Sequence, residues 1–98
     1  MKDFRTYQLA EELAKKCKTM KLKQPHQDQF QRAVLSIALN LAEGSAKPTT
    51  KDQKKFYYTA LGSLREVQSL IRILDLKEIE SEFDKLGAHL FKLCRTKY

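Results

Sequence analysis

The chain has 98 residues, in which 19 Lys and Arg residues outnumber 12 Asp and Glu residues and give a net charge of +7. This length predicts one domain, residues 1–98, with a single hydrophobic core that folds without disulfide or metal staples. No apolar run reaches the ~18 residues of a membrane span and no signal-peptide pattern follows Met1, so we expect a cytoplasmic protein.

Four segments carry apolar residues at three- and four-residue spacings, which predicts helices over about residues 6–22, 27–43, 50–74 and from 76 onward. With only three Gly and two Pro residues, the chain also lacks the frequent turns of an all-β domain. Short joints between long helices predict an all-α fold, an antiparallel up-down-up-down four-helix bundle.

Local motifs mark the predicted joints. Pro25 separates the first two helices, and Gly44 is expected just after the end of the second. Capping-box spacing is found twice, which predicts helix starts at these pairs: Thr50 with Gln53, and Asp75 with Glu78.

The second predicted helix has only a narrow polar stripe, whereas a solvent-facing bundle helix normally has a polar half. One small bundle can bury only one of its two apolar sides, so the other side predicts packing against a second copy of the chain. The predicted oligomer interface consists of Leu35, Ala38, Leu39 and Ala42.

The polar stripe has two interpretations. In the functional one it is a ligand or catalytic site. In the structural one, which we favour, its hydroxyl and amide groups bond to neighbouring helices while Arg32 pairs with a carboxylate such as Glu43 or Glu66. The Gly62-Ser63 pair of the third helix similarly predicts the close approach of another helix. The structural polar stripe comprises Arg32, Ser36, Asn40, Glu43, Ser63 and Glu66.

Catalytic motifs are not found in the sequence. Cys17 and Cys94 form no Cys-x-x-Cys pair, and the chain has no His-Glu-x-x-His motif and no glycine-rich phosphate loop. We therefore expect a protein that is not an enzyme, with no catalytic residue, no cofactor and no metal site. Both cysteines are expected to be reduced core residues at opposite ends of the bundle.

Two motifs resemble those of a known family. Residues 29–45 read QFQRAVLSIALNLAEGS, which is similar to the pattern Arg-Ala-x-x-Ser-Ile-x-x-Asn-Ile-Ala-Glu-Gly of the four-helix-bundle proteins encoded in 23S rRNA intervening sequences. Leu41 replaces the usual Ile, and Lys47 stands where Arg is common. The family's second motif, Phe-x-x-x-Ala-x-Gly-Ser-x-x-Glu, is matched by Phe56, Ala60, Gly62, Ser63 and Glu66.

This resemblance implies a prokaryotic, left-handed antiparallel bundle that assembles into a homo-oligomer, commonly a pentameric ring, but it implies no activity. A related branch comprises the accessory variability proteins (Avd) of diversity-generating retroelements, which are basic pentamers that bind a reverse transcriptase and its template RNA. The partners implied are therefore further copies of the chain, RNA or DNA, and a reverse transcriptase, with no membrane.

The predicted topology divides the charge between two poles. At one pole the lysines that end the first helix face the acids that begin the fourth, and the two sets neutralise each other. At the other pole Lys51, Lys54 and Lys55 oppose the dipole of the third helix, which an anion-binding role would explain. The predicted nucleic-acid-binding residues are Lys2, Arg5, Lys47, Lys51, Lys54, Lys55, Lys92, Arg95 and Lys97.

Tyrosines near this second pole, namely Tyr57, Tyr58 and Tyr98, are expected to offer stacking surfaces for unpaired bases. The sequence thus predicts a non-enzymatic, basic, oligomeric protein that binds RNA or DNA. The resemblance implies a more specific role, that of an accessory subunit that holds RNA and a reverse transcriptase in a retroelement ribonucleoprotein. The alternatives are a protein-interaction scaffold with no direct nucleic-acid role and a solvated charged surface that only aids solubility.

Overall fold

A computed structural model describes residues 4–95, which form four α-helices and no strand. Helix α1 spans Arg5–Cys17, α2 spans His26–Ser45, α3 spans Thr50–Leu74 and α4 spans Lys77–Arg95. The predicted all-helical fold is confirmed, whereas Lys2, Lys97 and Tyr98 lie outside the described residues. Across residues 4–95, none of the four helices combines the length and the apolar character that crossing a bilayer requires.

The helices form an up-down-up-down bundle in which each helix contacts two neighbours. α1 and α3 each pack against both α2 and α4. Gln31, near the start of α2, donates a hydrogen bond of 2.6 Å to the carbonyl of Cys17 at the end of α1. Tyr58, near the start of α3, donates one of 3.3 Å to the carbonyl of Cys94 near the end of α4. Neighbouring helices therefore run antiparallel.

The core lies between the four helices and contains the apolar stripes that the sequence predicts. Phe30 of α2 and Phe83 of α4 are fully buried and meet edge to face, with ring centroids 6.3 Å apart. Each such burial stabilises the fold by about 1.5–3 kcal/mol. Cys17 and Cys94 are buried free thiols near opposite ends of the bundle.

Helix α1 ends at Cys17, well before residue 22, where the apolar spacing predicts its end. The side chain of Gln27 supplies the reason, because it accepts a hydrogen bond from the Leu22 N–H at 2.6 Å and donates one to the Met20 carbonyl at 2.9 Å. Met20 and Leu22 still pack against the core from this non-helical segment. Their burial therefore produces an apolar pattern that resembles a continuing helix.

The predicted capping box at the start of α3 is wrong by one residue. The cap is Thr49, whose hydroxyl accepts a hydrogen bond from the Asp52 N–H at 3.1 Å. Gln53 does not complete a box with Thr50, since its side chain donates instead to the Lys47 carbonyl at 3.1 Å. Gln53 thus ties the joint between α2 and α3 to the first turn of α3.

Asp75 does not cap α4 as predicted but closes α3. Its backbone is left-handed, with φ 59° and ψ 46°, a conformation that Asp adopts more readily than most residues. The Leu76 N–H donates to the Ile71 carbonyl at 2.9 Å, which is the hydrogen bond of a Schellman-type helix end. α4 accordingly begins two residues later, at Lys77.

Gly44 lies inside α2 rather than beyond its end, and its lack of a side chain has a packing reason. A Cβ atom at Gly44 would lie 2.7 Å from a ring carbon of Tyr57 and 3.0 Å from the Cβ of Phe56, so only glycine lets α3 approach this closely. Gly62 differs, because a Cβ there would meet no atom of the chain within 4 Å. Within residues 4–95, the close approach predicted at Gly62 is therefore not made.

We predict that replacing these two glycines with alanine changes the free energy of unfolding in opposite directions. Gly62→Ala should raise the free energy of unfolding by up to about 1 kcal/mol, because Ala is the better helix former and space is free. Gly44→Ala should lower it by about 1–3 kcal/mol, because the methyl group overlaps Tyr57 and Phe56. Urea denaturation followed by far-UV circular dichroism measures both, and a Gly44→Ala variant as stable as Gly62→Ala would contradict the packing argument.

Candidate nucleic-acid interface

The predicted binding cations collect at one end of the bundle, which we call the basic pole. It is the end where α1 and α3 begin and where α2 and α4 finish. The Phe4 and Tyr57 rings, 5.9 Å apart, hold the start of α1 against α3, and the Tyr58–Cys94 hydrogen bond holds the end of α4 there. The predicted residues that the structure describes at this pole are Arg5, Lys47, Lys51, Lys54, Lys55, Lys92 and Arg95.

Aromatic rings position two of these cations. The Lys47 ammonium lies 5.0 Å from the centroid of the Phe56 ring, and the Arg95 guanidinium lies 5.4 Å from that of Phe91. Such cation–π contacts hold a long side chain while its charge stays accessible to solvent. Lys55 forms a salt bridge of 3.9 Å with Asp52, but both side chains are largely exposed, so this pair contributes little stability.

The first turns of α3 combine lysines with the backbone N–H groups of a helix N-terminus. Lys51 lies in the first turn of α3, where its charge opposes the helix dipole and Asp52 compensates only in part; Lys54 and Lys55 follow in the second turn, where the dipole acts more weakly. Of the N–H groups in this first turn, that of Asp52 is satisfied by Thr49. Cations beside helix N-terminal N–H groups form an arrangement that suits phosphate.

The aromatic prediction is corrected at Tyr57. Tyr57 is only 7 % exposed because its ring packs against Gly44 and Phe4, so it offers no stacking surface, and burial raises its pKa. Tyr58, in contrast, is 55 % exposed, as stacking requires. Phe91 is 45 % exposed and was missed in the sequence. The available signal was an aromatic residue outside the apolar stripe of α4, one turn before Arg95.

The opposite pole contains both signs of charge. Lys16 of α1 forms a salt bridge with Glu82 of α4, as expected for this pole. Asp84, another acid of the predicted set, accepts a hydrogen bond of 3.1 Å from Gln68 of α3. Asp75, at the joint between α3 and α4, lies 3.8 Å from Lys77.

The polar stripe of α2 faces α3 across a groove of about 190 Å³. The hydroxyls of Ser36 and Ser63 lie 2.8 Å apart and join the two helices. The amide of Asn40 donates to the carbonyl and the hydroxyl of Ser36, at 2.9 Å and 3.1 Å, so it bonds within its own helix rather than to a neighbour. Gln29, also in the groove, donates to Glu66 at 3.4 Å.

The expected ion pair of Arg32 with Glu43 or Glu66 is not formed: the salt bridges within residues 4–95 do not include Arg32. Arg32 and Glu43 are both exposed. The Ser36 and Ser63 hydroxyls bond to each other, an arrangement that gives neither serine a histidine or carboxylate base. In the described part of the chain, no three His, Cys, Asp or Glu side chains cluster as a metal site.

The two thiols are poor candidates for nucleophiles. Burial, together with the nearby charge of Glu82, raises the pKa of Cys17 to about 11 against a partial opposing effect of Lys16. Burial also raises the pKa of Cys94, with Lys54 acting in the opposite direction. Because the thiolate is the reactive form, both groups stay protonated and unreactive near neutral pH.

The predicted oligomer-interface residues divide into two groups. Leu35 and Leu39 are more than half exposed on the outer face of α2, and Ala42 is half-buried. Ala38 is buried within the chain itself, so it offers little surface to another copy. Leu35 also lines a groove of about 560 Å³ between α1 and α2, whose lining residues are Ala14, Lys15, Lys18, Gln31, Arg32, Val34 and Leu35.

Comparison with known families agrees with the two sequence motifs. The family model described as 23S rRNA-intervening sequence protein matches residues 2–96, which is nearly the whole chain. The chain belongs to this family. No curated protein and no solved structure matches it significantly. The name of the 23S rRNA-intervening sequence protein family states no activity, so the role must be argued from the chain's own residues.

Proposed function

We propose that this 23S rRNA-intervening sequence protein is a non-enzymatic nucleic-acid-binding protein and that the basic pole is its binding surface. The observation that carries the proposal is the charge of two segments on adjacent helices, residues 53–65 of α3 and 85–95 of α4. Neither contains Asp or Glu. Together they carry six cationic residues: Lys54, Lys55, Lys92 and Arg95 lie at the basic pole, and Arg65 and Lys85 lie farther along the same two helices.

A polyanion benefits from such a surface because each phosphate that meets a lysine or arginine releases condensed counterions. Lys47 and Lys51, in the joint between α2 and α3 and the first turn of α3, extend the same surface toward the helix N-terminus. The accessory variability proteins, a related branch from which the shared motifs do not separate this chain, suggest a finer proposal. In it the ligand is RNA, and a reverse transcriptase is the protein partner.

Charge reversal at the start of α3 tests the binding surface. The triple variant Lys51→Glu, Lys54→Glu, Lys55→Glu should lose most of its affinity for RNA at about 100 mM salt, because several phosphate contacts disappear. A gel shift measures the affinity. Thermal unfolding should show no loss of stability, since acids in the first turns of α3 favour its dipole.

The opposite pole provides the matched control. Lys21→Glu, Lys23→Glu, Lys77→Glu changes the net charge by the same amount, but it alters exposed residues between α1 and α2 and at the start of α4. This control should bind RNA much more tightly than the α3 variant. Equal losses in both variants would mean that only net charge matters, and unchanged binding by the α3 variant would refute the proposed surface.

We also propose that the protein is a homo-oligomer that assembles through the outer face of α2, in the family's commonly pentameric form. The side chains of Leu35 and Leu39 support this, because more than half of the surface of each stays exposed within residues 4–95. The elongated single chain presents this face next to the α1–α2 groove, which adds further apolar surface.

Light scattering tests the assembly. The wild-type protein should show a mass several times 11.4 kDa, and Leu35→Glu, Leu39→Glu should lower it toward that of a single chain. Ile73→Glu is the control, because Ile73 is 76 % exposed near the end of α3 and is not part of the α2 face. A wild-type protein that scatters as a monomer would refute the proposed role of α2.

A protein-interaction scaffold is the second candidate, and the α1–α2 groove favours it. Apolar side chains of Ala14, Val34 and Leu35 line this groove, and Lys15, Lys18 and Arg32 add positive charge, which suits an amphipathic acidic segment of another protein. Under this function, RNA should show no salt-dependent retention in a gel shift. A pull-down should instead recover one specific protein, and Leu35→Glu should abolish its recovery.

A further inference from the structure

Two exposed aromatic rings lie on the side of the bundle where α3 and α4 meet. The hydroxyl of Tyr58 on α3 donates to the carbonyl of Cys94 on α4 at 3.3 Å. Cys94 lies about one helical turn, or ~5 Å, beyond Phe91 along α4. We call this pair of side chains, Tyr58 and Phe91, the aromatic pair.

The two helices approach each other closely beside the aromatic pair. Gly87 lies one turn before Phe91, and a Cβ there would meet the side-chain amide of Gln68 at 3.1 Å and a methyl group of Leu64 at 3.3 Å. Because Gly87 has no side chain, Gln68 and Leu64 of α3 can pack against this part of α4.

The aromatic pair contributes little to the core. Tyr58 is 55 % exposed and Phe91 is 45 % exposed, whereas the large core side chains such as Phe83 are fully buried. The Tyr58 ring is held by its hydrogen bond to α4, and the Arg95 guanidinium lies 5.4 Å from the centroid of Phe91. A ring that is already held loses little conformational freedom when a ligand stacks on it.

The charge around the aromatic pair favours an anionic ligand. Both rings belong to the acid-free segments 53–65 and 85–95. Lys54 and Arg65 lie one turn before and two turns after Tyr58, and Arg95 lies one turn after Phe91. Exposed aromatic rings flanked by cations are the arrangement with which proteins bind the bases and phosphates of single strands.

We propose that the aromatic pair is a stacking platform for unpaired bases, so that the basic pole binds single-stranded nucleic acid in preference to duplex. This inference rests on the proposed nucleic-acid-binding function and specifies its ligand. In a duplex the bases are already paired and stacked, so a ring on the protein surface cannot stack on them. In a single strand the unpaired bases can stack on the rings while the phosphates contact the cationic side chains.

Alanine substitutions test the platform. Tyr58→Ala and Phe91→Ala should each weaken binding of an oligo(U) RNA of about 20 nucleotides roughly 5- to 100-fold, the range expected for one lost base stack. Binding of an RNA duplex of equal length should stay unchanged. The salt dependence for oligo(U) should also be retained, because no phosphate contact is removed.

Conservative variants separate stacking from folding. Tyr58→Phe keeps the ring and should bind oligo(U) within a few-fold of wild type, whereas Phe91→Leu keeps an apolar side chain without a ring and should bind as weakly as Phe91→Ala. Ile73→Ala removes another exposed apolar side chain, far from the basic pole, and should leave binding unchanged. Circular dichroism checks that each variant is folded.

The absence of tryptophan from the chain allows a direct readout. Phe91→Trp introduces a single indole into the platform, and its fluorescence should be quenched when oligo(U) is added. Ile73→Trp provides an indole at the other end of α3, and its fluorescence should not respond. Equal quenching at both positions would mean that oligo(U) does not bind preferentially at the aromatic pair.

The outcomes separate this inference from the function on which it rests. If the alanine variants bind oligo(U) like wild type while the lysine-reversal variant does not, the platform is refuted and the nucleic-acid-binding function stands. Tighter binding of duplex than of oligo(U) by the wild-type protein also refutes the platform alone. If the wild-type protein binds neither RNA, both proposals are wrong.

Discussion

The contact between α2 and α3 at Gly44 is the constraint on which the arrangement of the basic pole depends. Because Gly44 has no side chain, the ring of Tyr57 lies against α2 and is buried. Successive residues on a helix are rotated by about 100°, so the burial of Tyr57 turns Tyr58 outward and toward α4. The same contact places the start of α3 directly beside the end of α2, where Lys47 and Lys51 follow. One glycine therefore orders both the aromatic and the cationic parts of this pole.

The charges at the two ends of the bundle are compensated to different degrees, and the stability of the helices does not explain this difference. At the end of α1, Lys16 favours the helix dipole and forms a salt bridge with Glu82. At the start of α3, the lysines oppose the dipole, and the Lys55–Asp52 pair is long and exposed. Local energetics would place acids there, so the lysines cost stability. A function that needs positive charge at this end accounts for that cost.

The sequence predicts the four helices, the core and the family well because these depend on repeated local patterns. The buried residues Phe30, Leu64 and Phe83 all belong to stripes that are visible in the sequence. The end of α1 could not be predicted in this way, because it depends on hydrogen bonds from the distant side chains of Gln27 and Gln31.

In the candidate site, too, some features could be predicted from local sequence patterns, whereas others depend on tertiary contacts. Its lysines could be predicted from charge and topology, since a cation in the first turn of a helix is unusual wherever the helix packs. The sequence could not predict which of the two tyrosines is exposed, because Tyr57 and Tyr58 are adjacent and only the approach of α2 distinguishes them. The exposure of Phe91, in contrast, could have been predicted, because this residue lies outside the apolar stripe of α4.

The proposed assembly face and the proposed nucleic-acid-binding surface lie on opposite sides of the bundle, so the two proposals are compatible. α2 contacts α1 and α3, whereas α4 contacts α3 and α1, which places the α1–α2 groove opposite the side where α3 meets α4. Burial of Leu35 and Leu39 against another copy would therefore leave Tyr58 and Phe91 exposed. Each copy in an oligomer then adds one platform, and a single strand that reaches several platforms gains affinity through effective concentration. This geometry favours a long, unpaired strand over a short one, because only the long strand can occupy more than one copy at a time.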